Sequence, residues 1–248
     1  MGFLSKLGIG IGSTSRAVSR PIQGNNRSRT PGALPLAAGT TRAPEMQETT
    51  RISNGLKEFL WNLDGLGRGT LLDLGPAWQT TLSFFIERGF RVSSEDILRA
   101  WKAFLTEEEA RLQEVGRIDD SLDMTPNGRA ARFLESNLRY SPLSFDAVLL
   151  WDLLDYLEPA LGKQIVTCLT DCLRPGGVVF AMFHSKKPEG FQRYRVADSN
   201  TLQVISTPAL CSSQKIFQNR EIQELFNRFR TMKSFVGRDQ LRETLFIK

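Results

Sequence analysis

The sequence contains one histidine and three cysteines, and no apolar run comes near the ~18 consecutive residues that a membrane helix requires. A membrane span is therefore not expected. Nor is a metal centre, because His184 stands alone and Cys168 and Cys172, four apart on an expected helix, share a face without further ligands. With Cys211 the thiols are odd in number, which reads as buried structural cysteines in a reducing compartment rather than as a disulfide framework. Acid is missing from one end: up to Pro44 there are six basic residues (Lys6, Arg16, Arg20, Arg27, Arg29, Arg42) and no Asp or Glu. Taking those six from the 32 Lys and Arg leaves the remainder one basic residue short of its 27 acids. The net charge of +5 thus belongs to the N-terminal segment, and the pI of 9.3 does not mark a nucleic-acid-binding body.

Residues 1–50 are rich in Gly, Ser, Thr, Pro and Arg and lack a sustained apolar period. They read as a flexible basic extension. A solvated tail, an organelle transit peptide opening on Phe3, Leu4, Leu7, Ile9 and Ile11, and a cationic arm for an acidic partner all fit this composition. Myristoylation does not, because position 6 is Lys rather than Ser or Thr. A cytoplasmic location is expected, with organelle targeting through the basic segment as the alternative.

What is present from residue 51 onward is alternation of strand and helix. Leu56, Phe59, Leu60 and Leu63 recur at helical spacing between Ile52 and Leu66. Thr70 to Leu74 reads as a buried strand, Pro76 to Arg88 as its helix, and Arg91 to Ser94 as the next strand. Residues 97–117 and Ala130 to Leu138 read as helices, with a polar loop over 119–128 and no clear strand in that interval. Phe145 to Leu150 and Val178 to Phe183 are apolar enough for strands buried on both faces, flanking a helix from Leu161 to Leu173 and an Arg174-Pro-Gly-Gly turn. Phe191–Val196 and Thr201–Ile205 alternate as a hairpin in an insert over 186–208. A helix capped by Asn219 precedes two closing strands, about Thr231–Val236 and Glu243–Lys248, whose short link makes them antiparallel. The expected fold class is α/β: a doubly wound, mostly parallel sheet with helices on both faces.

The turn Asp73-Leu-Gly75-Pro-Ala77-Trp-Gln79, the acids Glu95 and Asp96, and the pairing of Phe145-Asp-Ala-Val-Leu-Leu-Trp with Leu173-Arg-Pro-Gly-Gly-Val-Val-Phe resemble the class I, Rossmann-like S-adenosylmethionine-dependent methyltransferases over about residues 52–248. Asp96 lies 21 positions after Gly75, where a doubly wound sheet places an acid on ribose hydroxyls. The resemblance implies a seven-stranded sheet with an antiparallel last strand and S-adenosyl-L-methionine as cofactor. It implies that Asp73, Gly75 and Ala77 meet the amino-acid end, that Asp96 with Glu95 holds the ribose, and that Asn137 lies near the adenine. Gln79 departs from the family's glycine pattern. A nicotinamide-type Gly-x-Gly-x-x-Gly turn is absent.

Asp152 and Tyr156 follow the central strand, and His184 ends the next one, at the edge where open α/β sheets bind ligands. Asp152 faces either the methyl donor or the acceptor, or caps the helix that follows. His184 is a candidate general base or a polar strand end. Asp155 and Glu158 are expected to face solvent, and Phe191, Tyr194 and Trp101 to line an acceptor pocket or pack in the core. Two functions stay open: methyl transfer to a small-molecule or protein acceptor, and a methyltransferase-like binding or assembly subunit that has lost catalysis.

Overall fold

A computed structural model describes residues 48–115 and 123–248. The expected N-terminal extension, up to residue 47, and part of the polar loop after residue 115 lie outside the described residues. The chain enters through β1 (Glu48–Ile52) and α1 (Asn54–Leu63), whose Ser53 hydroxyl accepts from the Leu56 N–H. There follow β2 (Gly69–Asp73), α2 (Gln79–Ile86), β3 (Phe90–Ser94), α3 (Ile97–Val115) and α4 (Pro126–Asn137). Next come β4 (Phe145–Trp151), a 3-10 turn (Leu153–Tyr156), α5 (Pro159–Cys172) and β5 (Leu173–His184). The hairpin β6 (Gln192–Val196) and β7 (Thr201–Ser206), α6 (Asn219–Leu225), β8 (Thr231–Val236) and β9 (Leu241–Ile247) complete it.

The main sheet has the order β3-β2-β4-β5-β9-β8. β3, β2, β4 and β5 run parallel, and β9 is antiparallel to both β5 and β8. The chain leaves β2 for β3 on one side and later returns to β4 on the other. This is a topological switch point, and it opens a crevice at the C-terminal ends of β2 and β4. Strand periodicity divides the core in two. Leu72, Val148, Leu150, Val179 and Phe183 pack towards α3, α4 and α5. Leu71, Leu149, Val178, Phe180 and Met182 pack towards α1, α2 and the hairpin. Both faces are covered, which explains the continuous apolar runs.

Four expectations need correction. Among the described residues the main sheet has six strands rather than seven, because no strand pairs with the free side of β3. The expected extension to residue 50 and the expected helix start at Ile52 both give way to β1, which pairs along its whole length with β7 and makes a separate three-stranded sheet with the hairpin. Arg174-Pro-Gly-Gly is not a free turn but an irregular start of β5, where the pairing register with β4 shifts. The cap of α6 is Gln218, one residue before Asn219, whose side chain and that of Glu221 exchange hydrogen bonds with the first turn.

Central-strand packing sets the stability. Leu149 is fully buried in β4, so Leu149→Ala is expected to cost about 2–5 kcal/mol in chemical denaturation. Trp61→Ala, at a side chain 75% exposed on α1, should stay within ~0.5 kcal/mol in the same assay.

Candidate active site

The residues singled out at the sheet edge meet at the switch point. Asp73 ends β2 and is buried; its Oδ1 accepts from the Gly75 backbone N–H at 3.0 Å and from the Trp151 indole Nε1–H at 2.7 Å. Gly75 is required sterically, since a Cβ there would lie 2.7 Å from Trp151 Nε1. The indole also stacks on Tyr194 of β6, with centroids 6.1 Å apart and planes 14° from parallel. Trp151 itself has φ +53°, a left-handed backbone at the last residue of β4, which bulky side chains rarely adopt. The sequence pattern gave no sign of this conformation.

Asp96, just past β3, accepts from Arg193 of β6 at 2.9 and 3.2 Å, and one of its oxygens also accepts from the Arg99 N–H. Its neighbour Glu95 instead accepts from the Tyr140 hydroxyl at 3.0 Å. The hairpin thus reaches across the crevice and puts a guanidinium on the carboxylate expected to hold ribose. Leu98, Trp151, Asp152, Arg193 and Tyr194 close over Gly75, leaving about 10 Å³ free, room for about one water.

Two expected contacts lie elsewhere. Ala77 is exposed ahead of α2 and does not line the crevice. Asn137 ends α4, with its amide donating to the Phe133 carbonyl of its own helix. Trp101 packs against Phe104 and Phe133 in the core, away from any pocket role. Gln79 begins α2 and donates to Ser83.

Asp155 is fully buried, contrary to the expectation that it faces solvent. Its Oδ2 accepts from the His184 backbone N–H at 2.7 Å and lies 2.9 Å from His184 Nδ1. His184 Nε2 is 3.9 Å from Asp152 Oδ2. Spacing along the chain conceals this pair, because the 3-10 turn after β4 rotates Asp155 inward beneath the end of β5. The Tyr156 ring meets His184 and Phe191 edge-on, and its buried hydroxyl has no hydrogen-bond partner among the described residues. Nor do the buried Asp73 Oδ2 and Asp152 Oδ2.

Burial dominates the electrostatics. Desolvation pushes the Asp73 carboxyl up to about 7 against two hydrogen bonds that favour its charge. It likewise takes Asp152 to about 7, against the opposing charge of His184. Asp155 is raised by burial too. For His184, burial works downward, but the hydrogen bond it donates to Asp155 and the charges of Asp152 and Asp155 outweigh it and raise its value. A groove of about 450 Å³ between α5 and α6 is larger than the crevice but contains none of these residues.

Both raised carboxyls keep protons that the unfolded chain releases near pH 4. Their burial therefore lowers stability progressively as the pH climbs from about 4 to about 7. Asp73→Asn keeps an oxygen to accept from Gly75 and Trp151. Its stability relative to the parent should move in its favour by on the order of 2–4 kcal/mol between pH 4 and pH 8, measured by urea unfolding across that range.

No family model matches the chain, and no curated protein sequence does. It is similar in structure to the 1,6-didemethyltoxoflavin-N1-methyltransferase of Burkholderia thailandensis, at 18% identity over 79% of each chain with a TM-score of 0.40. It is similar also to the N-methyltransferase NodS of Bradyrhizobium japonicum, at 13% identity over 78% of this chain and 85% of that one, TM-score 0.40. A third is an S-adenosylmethionine-dependent methyltransferase from Mesorhizobium loti, at 12% identity over 77% and 96%, TM-score 0.41. What assigns the architecture is the chain's own sheet: parallel strands reversing at β2 and β4, an antiparallel last strand set between β5 and β8, and an acid–glycine turn at the switch point make this a doubly wound, Rossmann-like α/β fold.

Proposed function

We propose that the chain is an S-adenosylmethionine-dependent methyltransferase, here with its cofactor crevice closed. The observation that carries this reading is a pair of buried carboxylate oxygens without a hydrogen-bond partner among the described residues: Asp152 Oδ2, whose residue lines the switch-point crevice, and Asp73 Oδ2, held against the crevice residues Gly75 and Trp151, with Asp96 reached through the lining residue Arg193. Unpaired buried acids are costly, and an ammonium group satisfies them. The donor set therefore suits the amino-acid end of the cofactor at Asp73 and Asp152, and its ribose at Asp96. What is missing is space, and two movable side chains take it. Arg193 must leave Asp96, and Trp151 must swing from Gly75. The left-handed backbone at Trp151 holds roughly 1–3 kcal/mol of strain that its movement would release.

When bound, the cofactor supplies a methyl group activated by the positive charge on sulfur. The chain's part is to bind, align the acceptor with that methyl, and exclude water. Trp151, Tyr194 and Leu98 provide the apolar walls for exclusion. A second reading, a binding subunit without catalysis, is favoured by the ~10 Å³ left in the crevice.

Calorimetric titration with S-adenosylhomocysteine separates the two. The parent should bind weakly, Arg193→Ala at least about tenfold tighter because Asp96 is freed, and Asp96→Ala not measurably, with thermal unfolding recorded in parallel to confirm folding. Absence of heat from all three at millimolar ligand would leave the non-catalytic reading standing.

A further inference from the structure

The buried acid–imidazole pair borders a second cavity. His184 lines a space of about 240 Å³ with Lys186, Lys187, Gln192 and Gln240, at the mouth of the insert between β5 and β6. Asp152, 3.9 Å from His184 Nε2, lines the cofactor crevice. His184 lines one space and Asp152 the other, so the two spaces approach each other at this pair. Gln192 and Arg193, adjacent on β6, face one space each.

Asp155 fixes the ring at that meeting point. One carboxylate oxygen takes both the backbone N–H of His184 and its Nδ1, so strand and ring are held by the same atom. With the proton on Nδ1 directed to Asp155, the lone pair of the neutral ring is on Nε2, the nitrogen on the Asp152 side. This division of labour is that of a base oriented by a buried acid. Asp152 and Asp155 then stabilise the imidazolium that forms when Nε2 takes a proton. The other groups acting on the cluster are Asp239 and Arg242 of the β8–β9 link and β9, Arg193, and the unpartnered Tyr156 hydroxyl.

We propose that this cavity holds the methyl acceptor, a small polar molecule bearing a hydroxyl group, with His184 as the catalytic base and Asp155 as its positioning residue. The inference rests on the methyl-transfer reading. The lining carries both charge signs, Lys186 and Lys187 against Glu189 and Asp239, and two amides, which suits a polyol or hydroxy acid rather than an apolar compound. A hydroxyl is also the acceptor that gains most from a base at this position. Its oxygen lone pair forms the bond to the methyl carbon, the carbon–sulfur pair returns to sulfur, and the O–H proton passes to Nε2. The positive charge lost at sulfur ends on the imidazolium.

His184 is the only histidine, so its ring signals in nitrogen–proton correlation spectra of the full chain need no assignment by mutation. The neutral ring should show the Nδ1–H tautomer. Asp155→Asn should release that preference and move the ring's titration to lower pH, whereas a merely packed histidine would hold its tautomer. Erythritol, lactate and catechol serve as probes at millimolar concentration, with toluene as control. At least one hydroxylated probe should shift the His184 signals saturably, and toluene should not. An Nε2–H tautomer, or ring signals unmoved by all three, would overturn the proposal. Calorimetry with S-adenosylhomocysteine reads the other crevice independently. Heat without ring shifts sinks the acceptor cavity alone, and ring shifts without heat in any variant sink methyl transfer while the hydroxyl site stands.

Discussion

The hydrogen bond from the Trp151 indole to Asp73 ties the C-terminal end of β4 to that of β2 at the point where the sheet reverses. Around it the other features fall into place. The indole can reach Asp73 only because residue 75 lacks a Cβ. It lies flat enough for Tyr194 to stack on it, and that stacking seats β6 over the crevice. A seated β6 carries Arg193 to Asp96. One contact, made in a dry corner, thus links the ends of β2 and β4 to the strand that fills the crevice. The cost is visible in the same place: a left-handed tryptophan, and carboxylates whose protons are held to near neutrality.

A guanidinium on Asp96 is a chemical stand-in. Its Nη2 reaches both carboxylate oxygens where, on the proposed reading, a ribose would offer two hydroxyls, so the closed state leaves that acid satisfied. Asp73 and Asp152 have no such replacement for their outer oxygens. On the proposed reading, the closed crevice is thus complete on the ribose side and incomplete on the amino-acid side. A ligand entering it would exchange one ion pair for hydrogen bonds and gain partners for two acids.

Much of the architecture was legible because it is written in periodicity. Buried runs such as Phe145–Leu150, the hairpin alternation of 191–205 and the short closing link each follow from local chemistry, and the sheet assembles them as expected. The switch-point acid and glycine were legible for the same reason, being adjacent in sequence to the strand that presents them. The site's long-range contacts were not. Asp155 reads as a surface acid until a 3-10 turn and β5 enclose it, and Arg193 reads as one more charge in an insert until β6 crosses to Asp96. β1 was hidden within a polar, Thr-rich stretch whose partner lies some 150 residues later, beyond the reach of local pattern.

That pairing of β1 with β7 has a consequence for the order in which the molecule is made. Glu48 faces Ile205 and Ile52 faces Thr201, so the first described strand has no partner until most of the chain has left the ribosome. At about 5–20 residues per second, β1 waits on the order of ten seconds for β7 after residue 52 is synthesised. β2, β3 and β4 emerge within that interval, ahead of β6. Asp96 therefore leaves the ribosome well before the Arg193 that pairs with it, and the hairpin that fills the crevice is among the later parts of the chain to be made.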